Sequence, residues 1–194
     1  RDVFLREKKH ILVLGGGDES LHYLKLLNGE FIIFLVDKNQ KCAGKEQAEY
    51  FINCSIYNAE KILIELTKYN FLKKIDAVMC LGSDAAISVA TICAKLKLES
   101  VSLEAAKISS NKLKLKKLFN KIDVNTPRFT LVEKIQDLSR FMDKTELPII
   151  IKPDDSRGSR GVNIIWEKKG SEKLYLSARK YSTTNTVIAE EFVD

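Results

Sequence analysis

The sequence is poor in the residues that interrupt regular structure. Only 3 prolines and 9 glycines occur in 194 residues, while hydrophobic residues make up 45%. That balance excludes a disordered or low-complexity chain and leaves ample material for a buried core. Histidine is scarcer, with 2 residues, His10 and His22, which argues against a zinc site of the usual kinds. The cysteines Cys42, Cys54, Cys80 and Cys93 show no C-x-x-C spacing. Cys80 and Cys93 lie within apolar runs, where buried thiols are common. No run approaches the ~18 apolar residues of a membrane span and no signal peptide opens the chain, so a cytoplasmic protein without a membrane partner is expected. No internal repeat is visible.

Charge of one sign is in modest excess, 32 basic against 26 acidic residues for a net +6. The lysines are scattered along the chain rather than gathered with aromatics, so no nucleic-acid partner is expected. The one cluster, Lys112-Leu-Lys-Leu-Lys-Lys117, reads as the solvated side of a helix. Basic charge also suits an enzyme that handles phosphates, so sign alone decides little.

What is present alternates. Ile11-Leu-Val-Leu14 ends in Gly15-Gly16-Gly17, the profile of a buried strand feeding a tight turn. A helix capped by Asp18 or Ser20 and stopped at Gly29 should follow. Phe31–Val36 is a second strand ending at Asp37. Ala59–Lys68 is a helix with Ile62, Leu63 and Leu66 on one face. Ala77–Leu81 is a strand ending in Gly82-Ser-Asp84, Ala85–Lys97 a helix, and Glu99–Ser102 a short last strand. Continuous apolar strands alternating with helices predict an α/β fold, a Rossmann-like parallel sheet covered on both faces. Ligands in such sheets sit beyond the carboxyl ends of the strands, where Gly15, Gly16, Gly17, Asp37, Ser83 and Asp84 fall.

The character changes near residue 108. Ser109–Phe119 reads as an amphipathic helix with Leu115, Leu118 and Phe119 inward. Then come a strand at Arg128–Val132, a helix at Lys134–Lys144, strands at Leu147–Pro153 and Val162–Trp166, a helix near Glu172–Tyr181, and a last strand from Val187 to Val193. The loop Asp154-Asp-Ser-Arg-Gly-Ser-Arg-Gly161 joins two strands. Its small residues let backbone N–H groups approach an anion, with Lys152, Arg157 and Arg160 at hand to add charge. It is not a Walker A loop, because no Gly-Lys-Ser/Thr follows and the next element is a strand.

Four strings carry a likeness: Ser110-Asn-Lys112, Val124-Asn-Thr-Pro127, Ile151-Lys-Pro-Asp-Asp-Ser-Arg-Gly-Ser-Arg-Gly-Val162 and Val187-Ile-Ala-Glu-Glu-Phe-Val193. In their order the chain resembles the ATP-grasp superfamily, in the branch of carbamoyl-phosphate synthase large chains, biotin carboxylase and related carboxylate–amine ligases. The third string is fairly specific, the others weak singly. The resemblance implies a pre-ATP-grasp Rossmann-like substrate domain over 1–108. It implies the first part of an α+β ATP-grasp domain over 109–194, with a lid subdomain at about 128–190. It implies an ATP-dependent ligase working through an acylphosphate, with ATP and Mg2+ as cofactors and small-molecule carboxylate and amine substrates, and it leaves room for a homo-oligomer.

Carried over, Lys112 and Lys152 would contact ATP phosphates, and Ser156, Arg157, Gly158, Ser159 and Gly161 would form a lid loop over them. Glu190 would face the adenine amino group, with backbone of Glu191 and Val193 on the adenine edge. The glycine turn Gly15–Gly17, with Asp37, Ser83 and Asp84, would hold the substrate. The family's magnesium ligands and catalytic arginine lie beyond the Glu-Glu-x-Val hinge, so no metal ligand is expected in this chain. Its end at Asp194 and its start at Arg1 suggest a fragment lacking catalytic competence. Two other readings stay open: a non-catalytic nucleotide-sensing module, and an NAD(P)-dependent oxidoreductase, since Asp37 follows the glycines by about 20 residues. The third fingerprint glycine would, however, fall at Ser20.

Overall fold

The computed structural model describes residues 7–72, 74–156 and 158–193. The chain divides into two compact units, Arg1–Lys107 and Ile108–Asp194. In the first, strand β1 (His10–Leu14) leads through α1 (Asp18–Leu27) to β2 (Ile32–Asp37). A short 3-10 turn (Lys45–Gln47) precedes β3 (Tyr50–Asn53), followed by α2 (Ala59–Lys68), β4 (Ile75–Met79), α3 (Ala86–Leu96) and α4 (Leu103–Ser109). The strands form one parallel sheet in the order β3-β2-β1-β4.

The apolar strands follow from a core on both faces of that sheet. Side chains alternate along a strand. Leu12, Leu14, Phe34 and Val36 therefore point one way, against Ile62 and Leu66 of α2 and Ile92 of α3. Ile11, Val13, Ile33 and Leu35 point the other way, against Leu24 of α1. Every one of these twelve strand and helix positions is at most 3% exposed, so an unpaired polar strand residue on either face would be costly. Phe34 anchors one face, stacked on Tyr50 at 4.5 Å and edge-on to Phe71 at 4.8 Å.

Two expectations from the sequence do not hold. Glu99–Ser102 forms no strand: Lys97 takes a left-handed conformation at φ 59° that ends α3, and the chain then runs irregularly into α4. The fourth strand is instead β3, whose Tyr-Phe-Ile-Asn is too short to stand out by periodicity. Neither Asp18 nor Ser20 caps α1. Gly17 holds the cap position without a side-chain bond, and the buried Ser20 hydroxyl donates to the Leu81 carbonyl.

The second unit opens with α5 (Lys112–Lys121), followed by β5 (Phe129–Val132), α6 (Ile135–Met142), β6 (Ile149–Pro153), β7 (Asn163–Ile165), α7 (Ser171–Arg179) and β8 (Val187–Glu191). Its sheet is antiparallel in the order β5-β8-β6-β7. Val132, Ile149, Ile151, Ile165, Val187 and Ala189 turn to one side, where Leu138 and Met142 of α6 and Tyr175 and Ala178 of α7 cover them. The opposite side of the same strands is left for other work.

Replacing Phe34 with Ala should cost about 3–5 kcal/mol, the range for emptying a filled aromatic core position. Urea unfolding of Phe34→Ala checks this, and a loss below about 1 kcal/mol would mean that the aromatic cluster does not anchor the sheet.

Candidate functional site

Strand alternation and register decide what lies on that opposite side. Glu190 of β8 stands across from Phe129 on one neighbour and Ile150 on the other, and Lys152 stands across from Ile188. Residues directly opposite in an antiparallel pair share a face. Phe129, Ile150, Lys152 and Glu190 therefore form one patch, extended by Ile164 across from Ile150. Phe129 and Ile150 are half-buried and Ile164 is exposed, which leaves an apolar floor that no helix fully covers.

Glu190 is the unusual member. It is 5% exposed, and its carboxylate sits between two ammonium groups, Lys116 Nζ at 3.0 Å from Oε2 and Lys152 Nζ at 2.6 Å from Oε1. The second contact is an ion pair without hydrogen-bond geometry, so among the described residues Oε1 has no directed donor. Lys116 is 8% exposed. The lysine run of α5 is thus not uniformly solvated as its composition predicts, for Lys116 turns inward while Leu115, Leu118 and Phe119 are only half-buried. Its ammonium also donates to Thr126 Oγ1 at 2.7 Å and lies 5.3 Å from the centre of the Phe129 ring.

The loop after β6 is tied to the start of α5. Asn111 caps that helix by accepting from the Lys114 amide at 2.8 Å, and its Nδ2 donates to Asp154 Oδ2 at 3.1 Å. The Lys112 amide donates to the Asp154 carbonyl at 2.9 Å, and Lys112 Nζ donates to the Ser156 carbonyl. Asp154 is buried, and its Oδ1 accepts from Thr184 at 2.8 Å and Ser182 at 3.3 Å. Burial alone pushes the Asp155 carboxyl up, but hydrogen bonds from the Thr183 and Ser182 hydroxyls and the Thr183 amide outweigh it and hold the group below its ordinary value. The root of the loop is therefore fixed, while its tip is open. Ser159 and Gly158 are exposed and left-handed, at φ 56° and 62°.

The structure thus brings Lys112, Lys152, Ser156, Gly158, Ser159, Gly161 and Glu190 into the second unit's loop-and-sheet face, while Arg157 lies outside the described residues. Glu191 points elsewhere. Its carboxylate takes the Arg128 amide at 2.9 Å and Nε at 2.5 Å, which hold it below the usual carboxylate range. Its own amide donates to the Arg128 carbonyl at 3.0 Å. Glu191 and the exposed Val193 border an open cleft of about 550 Å³ with Arg128, Asp143 and Glu146.

In the first unit the strand order reverses direction at β1, so the switch point lies between β1 and β4. A crevice of about 440 Å³ opens there, bordered by Gly15, Gly17, Asp37, Tyr57 and Ser83. Ser83 Oγ donates to the Leu14 carbonyl at 2.7 Å, and the Tyr57 hydroxyl donates to Asp84. Asp37 is engaged in closing the turn, accepting from the Gly16 amide at 2.8 Å and the Asn39 amide at 2.8 Å. Gly16 is needed for packing as well: a Cβ there would lie 2.8 Å from Cys42 Sγ and 2.9 Å from Leu35 Cδ2.

With this geometry in view, residues 111–194 match the family model for the carbamoyl-phosphate synthase L chain, ATP binding domain. The second unit is thus similar to the ATP-grasp superfamily. ATP-grasp proteins also account for the similarities over the longer chain. It is 24% identical over 165 residues to a formate-dependent phosphoribosylglycinamide formyltransferase of Methanocaldococcus jannaschii, covering 82% of this chain and 41% of that protein. It is 26% identical over 192 residues to a phosphoribosylamine–glycine ligase of Caldanaerobacter subterraneus, covering 94% and 44%. The N5-carboxyaminoimidazole synthetase of Staphylococcus aureus, crystallised as an ADP complex, superposes with a TM-score of 0.76 at 17% identity, over 97% of this chain and 49% of that one. The chain thus spans less than half the length of each of these three proteins. No helix of the described residues is long and apolar enough to cross a membrane.

The residue that sequence reading missed is Lys116. The available signal was its place one helical turn after Lys112, which puts both on one side of α5.

The two loop glycines should behave differently on substitution. Gly158→Ala meets nothing within 4 Å and carries only left-handed strain, about 1–2 kcal/mol. Gly161, at φ 76°, adds a clash, its Cβ falling 2.8 Å from Pro153 Cγ and 2.9 Å from Tyr181 Cδ2. Thermal unfolding should rank Gly161→Ala clearly below Gly158→Ala; equal melting temperatures would mean that Gly161 is not a packing point.

Proposed function

We propose that the protein is an ATP-dependent ligase that activates a small carboxylate as an acylphosphate and passes it to an amine, and that residues 109–193 supply the base- and phosphate-binding face of its nucleotide site. The observation that carries this reading is Glu190: a buried carboxylate with one oxygen lacking a directed donor, set beside a half-open apolar floor and a lysine. A purine has the matching features, an apolar ring with an amino group at its edge. Buried acceptors held by an ion pair alone, without a directed hydrogen-bond donor, call for an explanation.

In this reading Phe129, Ile150 and Ile164 take the face of the base, and Glu190 Oε1 accepts from its exocyclic amine. The Glu191 amide is spent on Arg128, so the backbone contribution at the base edge falls to the Glu191 carbonyl and to Val193. Lys152 and Lys112 take the phosphates. Each has a place to leave, since Lys152 now neutralises Glu190 and Lys112 holds the Ser156 carbonyl. A polyphosphate offers an ammonium more negative charge than either partner. The tip from Ser156 to Gly161 closes over the phosphates, its left-handed Gly158 and Ser159 leaving backbone N–H groups to face an anion. Closure excludes water from an intermediate that water would destroy.

ATP bound here would supply the phosphoryl group. Mg2+ belongs to the same reading, yet no cluster of three His, Cys, Asp or Glu side chains among the described residues could hold a metal ion. The crevice at the switch point of the first unit, bordered by Gly15, Asp37 and Ser83, is the proposed substrate cleft, and residues 1–108 the substrate domain. The reading assigns the protein to the cytoplasm, where ATP and small acids are available.

Lys152→Ala in the full-length protein should lower kcat/KM for ATP by about 10- to 150-fold, the worth of one hydrogen bond to a charged group. ADP release against a panel of carboxylic and amino acids measures it. Unchanged turnover would remove Lys152 from the phosphate site.

A further inference from the structure

Glu190 is held by two lysines that are not equivalent. Lys116 is locked. Its ammonium donates to Thr126 Oγ1 at 2.7 Å, is ion-paired with Glu190 Oε2 at 3.0 Å and lies 5.3 Å from the centre of the Phe129 ring, and its side chain is 10% exposed. Lys152 is looser, with its side chain 22% exposed and its contact to Oε1 lacking hydrogen-bond geometry. One oxygen of the carboxylate therefore faces the more buried ammonium, which Thr126 also anchors, and the other faces the more exposed one.

We propose that Lys116 is a positioning residue that makes this site select a purine bearing an exocyclic amine, by pinning Glu190 so that Oε1 alone is offered to the base. The inference rests on the reading of Glu190 given above. A glutamate carboxylate turns easily about its last torsion, which is broad and nearly two-fold. Left unpinned, it spreads its acceptors over many directions, or turns toward whichever ammonium is nearest. Lys116 removes that freedom by taking Oε2, and Thr126 and Phe129 remove the freedom of Lys116 itself. What remains is a single acceptor at a fixed place. It rewards a donor there, and it gives nothing to a base with hydrogen at the same position. Lys116 touches the carboxylate and not the nucleotide, so its effect should appear in the choice between bases rather than in phosphate binding.

Isothermal titration of the full-length protein with ATP and with purine riboside 5′-triphosphate, which lacks only the amine, separates these effects. The wild type should prefer ATP by about tenfold or more, as expected for one hydrogen bond to a charged acceptor. In Lys116→Met that preference should fall toward one, chiefly through weaker ATP binding. Should Lys116→Met not fold, Lys116→Gln, which keeps a neutral donor, should give a preference between the wild-type value and one. A wild-type preference in either variant, even with both affinities lowered together, overturns the proposal, because that is what a purely structural lysine would do. Equal wild-type affinity for the two nucleotides also overturns it while leaving nucleotide binding intact. Binding of neither would remove the nucleotide reading itself.

Discussion

The second unit is organised around one buried carboxylate and the two ammonium groups that neutralise it. Burying an ion costs several kcal/mol, and removing one partner of such a group costs about 3–5 kcal/mol because the remainder is left uncompensated. Glu190 can occupy a buried place in β8 because α5 delivers Lys116 to one oxygen and β6 delivers Lys152 to the other. That requirement fixes the register of β6 against β8 and the rotation of α5 over the sheet. A hydrophobic residue at 190 would make a simpler strand. The presence of a carboxylate there, with one oxygen lacking a directed donor, is what makes the face a candidate site.

The supporting framework follows the same logic at the root of the loop. Asp154 ties together the helix start at Asn111 and Lys112, the end of β6, and the hydroxyls of Ser182 and Thr184 just before β8. Three segments distant in sequence are thereby held at one point, while the glycine and serine at the tip remain open. A rigid base is what the proposed closure of this loop over a ligand requires.

Much of the fold was legible in the sequence because its signals were strong and local. The continuous apolar runs of β1 and β2 could only be strands covered on both faces, and Ala59–Lys68 is helical with the expected Ile62 and Leu66 buried. The misreadings came from short segments. Tyr50–Asn53 is too brief for periodicity to reveal, and the Val101 region lost its strand to the left-handed turn at Lys97. The proposed site divided in the same way. Lys152 and the small-residue loop were legible from composition, and Glu190 from its place after an apolar run. Lys116 was hidden, because a lysine among lysines looks solvated until the position of its partner is known, and that partner lies 74 residues on (190 − 116). Pairing across such separations is a property of the register, which the sequence does not display.

The central claim is that this sheet face, and not the glycine turn of the first unit, receives the nucleotide. A crystal structure of the full-length protein with a non-hydrolysable ATP analogue tests it most directly. The account predicts the base lying over Phe129 and Ile150 with its amine on Glu190, and Lys152 swung from the carboxylate to the phosphates. An analogue seated instead against Gly15–Gly17, with the Lys152–Glu190 pair undisturbed, would contradict it.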